Sequence, residues 1–293
     1  MIMVADVYKK VKHVLWIILF ANLGVAVLKI IIGTIIKSAS MTADGFHSMT
    51  DGSSNIVGLI GIQFASKPVD EDHPYGHRKF ETLAGLFIAG MLFFIGGKII
   101  LDAIGRFINS VVPNITIESL VILLATLFTN IFVSVYEFKK GKELRSQILL
   151  SDSMHTRSDI YVSIGVLMTL ICIKLGLPPM IDPIASLLVA GFVIHAAYEI
   201  FKDNSSVLVD KAAVNTEKIK DIALSFEQVK DTQNIRSRGS ENDLYIDMHI
   251  MTEPDMSVEE SHKLIHSIEE KIREEISENV QVMAHIEPVN AKR

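Results

Sequence analysis

The 293-residue chain has one cysteine, Cys172, one tryptophan and only eight prolines. A single thiol excludes an intramolecular disulfide and a thiolate cage built within one chain, so any metal has to be held by His, Asp and Glu. Charge is scarce too. Asp, Glu, Lys and Arg make up 21% of the residues against 49% apolar types, where soluble chains carry about 25% charge. Mean hydropathy is +0.36, and the apolar residues clump in runs near the ~20 residues that cross a bilayer. These features exclude an ordinary soluble enzyme. The formal charge of −6 says little, because Lys and Arg gather beside apolar runs while much of the acid lies after residue 210. No basic stripe fits a nucleic-acid backbone, and nucleic acid is not expected as a partner.

The apolar stretch 14–36 follows a few charges and lacks a small-residue cleavage site, so it reads as a retained first span. Further spans are expected near 40–65, 80–105, 115–138, 150–175 and 182–202, which gives a six-helix transmembrane bundle over residues 1–207. Lys9, Lys10, Lys12, Lys67, Arg78, Lys79, Lys139, Lys140, Lys142 and Arg145 crowd one set of span ends. The other set holds Lys37, Arg106 and Lys174. The asymmetry puts both termini in the cytoplasm, and the cell (inner or plasma) membrane is the expected location. Lys98 and Asp102 stand at i, i+4 inside the third span and are expected to form an ion pair.

Residues 208–293 read as a small cytoplasmic α+β domain of order αββαβ. Helices are predicted near 215–227 and 257–277, strands near 229–238, 243–252 and 279–287. Ile219, Ile222, Ala223 and Phe226 recur at helical spacing, and Ser257 with Glu260 has the spacing of a capping box. Leu244, Ile246, Met248 and Ile250 alternate with Tyr245, Asp247, His249 and Met251, so one face of that strand is core and the other is available for contacts.

Ionisable residues at membrane depth cost several kcal/mol and are by default functional or turned to a wet cavity. The second span carries Asp44, His47 and Asp51, and the fifth carries His155 and Asp159. Each His-x-x-x-Asp pair lies on one helix face. Two such helices can converge on two nitrogens and two oxygens, a tetrahedral zinc-type set. The competing explanation is capping, pairing with Arg157, or hydrogen bonding between helices. Asp44 fits a gating role and a helix-start cap equally well. The loop Asp70-Glu71-Asp72-His73-Pro74-Tyr75-Gly76-His77 offers oxygens and imidazoles for a second cation, or is a solvated acidic loop. In the cytoplasmic domain His249, His262, His285 and Glu287 suggest a further metal site, with His266 one turn after His262.

Together these segments resemble the cation diffusion facilitators, bacterial zinc, iron and manganese exporters. The resemblance covers nearly the whole chain. It rests on Ala-Asp-Gly-Phe-His-Ser-x-x-Asp at 43–51, Asp-His-Pro-Tyr-Gly-His-x-Lys-x-Glu at 72–81, Met-His-x-x-x-Asp at 154–159 and Asp-Pro-Ile-Ala at 182–185. It implies a transport site at His47, Asp51, His155 and Asp159, a loop site at Asp70, His73 and His77, and a dimer-interface site at His249, His262, His285 and Glu287. It also implies a charge interlock between Lys79 and Asp210 that helps hold a homodimer. Two departures stand out: Gln233 where relatives often have His, and Glu287 where Asp is frequent.

The expected function is proton-coupled export of a divalent cation, Zn2+ first, with Fe2+, Cd2+, Co2+ and Mn2+ as alternatives. The partners are the metal, protons, the lipid bilayer and a second copy of the chain; no organic cofactor is implied. A metalloenzyme is disfavoured because no His-Glu-x-x-His occurs and four protein ligands leave no open catalytic position. A metal-sensing membrane receptor is the alternative of a different class.

Overall fold

The computed structural model describes residues 2–35, 52–108, 117–176, 178, 180–240 and 243–289. Two compact units, Met1–Asn204 and Ser205–Arg293, divide the chain.

The first unit is helical: α1 (Ile2–Ile35), α2 (Ser53–Ala65), α3 (Lys79–Ile108), α4 (Ile117–Leu144), α5 (Gln147–Lys174) and α6 (Ile181–Leu208). Four of these are long and apolar enough to cross a membrane, over Asp6–Leu28, Lys79–Phe107, Leu120–Leu144 and Pro183–Leu208. The expected six spans are not all matched on that measure, for two physical reasons. The described part of α2 has 13 residues, short of the ~20 a bilayer needs. α5 has the length, but its first half carries Asp152, His155, Arg157 and Asp159.

Small and β-branched residues let these helices close on one another. Val11, Leu15 and Ile18 of α1, Ile62 of α2, Ile88 of α3, Val133 of α4 and Ile148 of α5 are buried in one cluster, and Leu92 of α3 packs with Val193, Ala197 and Ile200 of α6 in another. The outward faces are aromatic and apolar: Phe94 is 76% and Phe132 73% exposed. Such a surface suits lipid, not water.

Gly61 sets the distance between α2 and α3. A Cβ there would lie 2.4 Å from Ala84 Cβ and 3.1 Å from Ile148 Cδ1. Gly61→Ala is therefore expected to destabilise the helical unit by about 1–3 kcal/mol, the usual cost of overpacking. A lowered Tm of the purified protein in detergent checks this.

Lys98 and Asp102 do not pair: both are exposed on α3, and among the described residues neither bonds the other. Lys placed N-terminal to an acid is the weaker orientation for an i, i+4 pair.

In the second unit, α7 (Thr216–Leu224), β1 (Asp231–Ser240), β2 (Asp243–Thr252), α8 (Val258–Glu275) and β3 (Val280–Pro288) follow the expected αββαβ order. The sheet runs β1-β2-β3, with β1 antiparallel and β3 parallel to β2. α8 makes the crossover that a parallel pair requires. Ser257 caps α8 by accepting from Glu260 N at 3.2 Å while its own N–H donates to Glu260 Oε2 at 2.9 Å. That bonding holds the Glu260 carboxyl below its ordinary pKa. Leu244, Ile246, Met248 and Ile250 are buried with Ile219, Ile222, Leu264, Ile268 and Ile272 of the two helices. The helices cover one sheet face and leave the other to Tyr245, Asp247, His249 and Met251.

Candidate metal centre

The loop between α2 and α3 gathers its candidate ligands most closely. Gly76, at φ 86°, takes the left-handed conformation that glycine accepts without strain, and its N–H donates to His73 O at 2.9 Å. That tight turn folds His73 and His77 onto Asp70. Asp70 Oδ1 accepts from His73 N at 2.7 Å and meets His73 Nδ1 at 3.1 Å. Asp70 Oδ2 lies 3.3 Å from His77 Nε2. One ligand atom from each of Asp70, His73 and His77 falls within 4.8 Å of the others, and among the described residues no other three such residues come together that closely.

His77 is the anchor. Its side chain is 4% exposed, and Nδ1 donates to Pro68 O at 3.0 Å. That bond fixes the tautomer and turns the Nε2 lone pair into the cluster, the orienting device common around metal-bound imidazoles. Desolvation opposes ionisation of Asp70, but the two bonds from His73 and the nearby imidazoles outweigh it and hold its pKa below the ordinary value. The sign follows: these contacts persist above the usual aspartate range and are lost only as the pH falls through the lowered value.

In the helical unit, α5 carries His155 and Asp159 one turn apart. His155 is 2% exposed, and among the described residues neither ring nitrogen has a hydrogen-bond partner. Among the described residues Arg157 pairs with neither His155 nor Asp159; its guanidinium lies 5.2 Å over the Phe138 ring. His47 and Asp51, with Asp44, lie outside the described residues.

Glu81 positions α5. Its Oε1 accepts from Ser146 Oγ at 2.5 Å and from Ile148 N at 3.2 Å, covering two donors at the start of that helix. The acidic residue closing the 72–81 motif thus acts as a cap contributed by another helix.

In the second unit, register places His249 beside His285 and Met251 beside Glu287, all on the face opposite the helices. His249 Nδ1 is 2.8 Å and His285 Nε2 3.8 Å from Glu287 Oε1, and the two rings lie 5.1 Å apart. Gln233 pairs with His249 across β1–β2, and its Nε2 reaches Met251 Sδ at 3.8 Å. His262 is not brought to this trio. It stands exposed on α8, edge-on to His266 at 4.5 Å, because Leu264 two positions on points to the core and successive helical residues turn by about 100°. Asp210, matched to the interlock, has φ 53° and lies 3.7 Å from Arg238.

Sequence reasoning missed three buried polar residues near His155: Asn55 on α2, Glu137 on α4 and Asp152 on α5. Signals for each were present. Asn55 follows Asp51 by one turn, Asp152 precedes His155 by nearly one, and Glu137 interrupts an apolar run just before Lys139 and Lys140, where it resembles a span end.

Comparison with known proteins adds the family. Residues 15–209 match the cation efflux transmembrane domain and residues 212–289 the cytoplasmic domain of cation efflux proteins. An uncharacterized transporter of Methanocaldococcus jannaschii is 31% identical over 285 residues, covering 96% of this chain and 100% of that protein. The manganese efflux system protein MneS of Bacillus subtilis is 29% identical over 275 residues, 93% of each chain. The cation-efflux pump FieF of Shewanella oneidensis is 27% identical over 264 residues, 87% of this chain and 86% of its own. Two consecutive domain matches, apolar helices and buried ligand-type residues lead to one assignment: the chain belongs to the cation efflux family, the cation diffusion facilitators, and is a membrane transporter of divalent metal cations, not an enzyme.

Proposed function

We propose that this transporter is a homodimeric, proton-coupled antiporter with six spans and both termini cytoplasmic. It exports Zn2+ through a tetrahedral set made by His47, Asp51, His155 and Asp159. The observation that carries the reading is His155, 2% exposed with both nitrogens lacking a partner among the described residues. A buried imidazole of that kind is costly unless something else engages it. Two imidazoles and two carboxylates suit zinc's tetrahedral preference.

The coupling follows from the ligands themselves. Metal requires neutral imidazole and ionised carboxylate, so loading expels protons and protonation weakens binding. Facing inward, the set takes metal from the cytoplasm. Facing outward, it exchanges the metal for protons and returns carrying them, and no separate relay is needed. Histidine is the natural carrier because its charge change falls between pH 5 and 8. The loop trio would hold a second ion, and His249, His285 and Glu287 would hold metal at the dimer interface and bias the cycle.

A second reading, export of Mn2+, is favoured by one observation. MneS, and MneP at 27% identity over 288 residues, are both named as manganese efflux systems of Bacillus subtilis.

The test is proton release. In weakly buffered solution, the Zn2+ binding that Asp159→Ala removes is expected to release protons and to weaken about tenfold between roughly pH 7.5 and pH 6. Binding independent of pH, with no proton released, would exclude exchange at this set.

A further inference from the structure

Asn55 on α2 bonds to two other helices at once. It is 1% exposed, and both ends of its amide are used: Oδ1 accepts from Asn22 Nδ2 of α1 at 3.1 Å, and Nδ2 donates to Asp152 Oδ2 of α5. Asp152 is itself 0% exposed. Polar groups shut away from water are costly unless bonded, and these bonds survive only while α1, α2 and α5 keep their present register. Side-chain bonds between helices of an apolar bundle fasten it in this way.

The place of the bridge gives it a role. Ile148 Cδ1 fits against Gly58 and Gly61 of α2, where an added Cβ would lie 3.7 and 3.1 Å from it. With Asn55 opposite Asp152, α2 and α5 therefore run antiparallel along this seam. On α5, Ile148, Asp152, His155 and Asp159 recur at i, i+4, i+7 and i+11, the spacing of one helix face. The face that meets α2 at Ile148 and Asp152 thus continues into the two α5 residues assigned to transport. His155 and Asp159 follow Asp152 by three and seven residues. Asp51 and His47, which complete the proposed set, precede Asn55 by four and eight residues in the sequence and lie outside the described residues. Near-equal sequence steps therefore separate the bridge from both ligand pairs.

We propose that Asn55 is a positioning residue for transport: its bond to Asp152 holds α2 and α5 in the register that brings the two ligand pairs together, and Asn22 fixes the direction of its amide. Asn55 touches no ion. Its effect runs through the ligands, whose affinity falls about 10–100-fold when an orienting contact is lost. In its link to the ion the proposal rests on the four-ligand transport reading.

The test measures KM and maximal rate, per folded protein, for Zn2+ uptake by the full-length chain in sealed vesicles under an imposed pH gradient, or for Mn2+ uptake where wild type moves that ion instead. Asn55→Ala is expected to raise KM about tenfold. A purely structural bond would lower Tm and the folded amount and leave KM unchanged, and that result overturns the proposal. Exchanging the two partners is the sharper arm. Asn55→Asp alone sets two carboxylates against each other in a buried place and is expected to raise KM at least as much as Asn55→Ala. Adding Asp152→Asn reverses donor and acceptor, lets the new carboxylate accept from Asn22 as well, and is expected to bring KM back to within about threefold of wild type. A double exchange no better than Asn55→Asp overturns the proposal. So does loss of uptake in Asp152→Asn alone, which gives the Asp152 charge a role of its own. Should both Asn55 variants fail to fold, Asn22→Ala releases the amide on one side only; it is expected to raise KM about threefold, the worth of one hydrogen bond, and no rise counts against the bridge. Asp159→Ala separates the two readings. Uptake lost there with KM unmoved in Asn55→Ala removes the bridge alone, whereas uptake kept there removes the transport set and the role of the bridge with it.

Discussion

Asp159→Ala is expected to stop net Zn2+ movement, lowering pH-gradient-driven uptake into sealed vesicles by more than about 100-fold. Asp159 lies partly buried on α5, one turn beyond His155, and supplies one of the two negative charges proposed to balance the ion. Losing an orienting partner of a metal ligand already costs 10–100-fold, and losing a charged ligand costs more. The loop trio should still bind metal, because Asp70, His73 and His77 are held by their own contacts with one another and by Pro68 O. Uptake assays paired with equilibrium metal counting therefore distinguish a lost transport site from a misfolded protein. Zn2+ uptake at wild-type rate in this variant would remove Asp159 from the pathway.

His155→Asp is expected to reverse the metal preference. An imidazole suits zinc, whereas a carboxylate suits harder manganese. The ratio of Zn2+ to Mn2+ transport should fall about 10–100-fold when the two metals compete at equal concentration. The substitution also puts another carboxylate close to Glu137, Asp152 and Asp159 in a buried region, where unpaired charge is strongly destabilising. The metal-free variant should therefore unfold at a lower temperature than wild type, and Mn2+ should recover more of the loss than Zn2+ does. An unchanged ratio would mean that His155 does not select the ion.

The cytoplasmic unit was the most legible part of the chain. Period-two alternation gave β2 at 243–252 with the observed bounds, and Ser257 with Glu260 gave the start of α8. β1 lies at 231–240, two residues beyond expectation, because a register shift between Gln233 and Arg236 breaks the alternation. The membrane helices were legible in position but not in length. α1 starts at Ile2 and α6 continues to Leu208, because a helix can run past the apolar stretch that marks its span.

Spacing left open whether residues 70–77 form a cluster or a solvated loop. The deciding contact, His77 to Pro68 O, joins residues nine apart through a backbone atom that carries no sequence signal. The Asn55–Asp152 pair was harder still. Each residue alone reads as a polar span end, and only the packing of α2 against α5 brings them together. His-x-x-x-Asp was visible because both ligands share one helix; a pair split between helices has no such spacing.

The central claim, exchange of metal for protons through one set of ligands, is tested most directly in proteoliposomes holding the full-length protein and a pH-sensitive dye inside. Zn2+ is added outside under an imposed pH gradient, and metal entry and proton exit are recorded together. The account predicts coupled fluxes that stop when the gradient is collapsed and no metal gradient remains. Metal entry with no accompanying proton movement would contradict it.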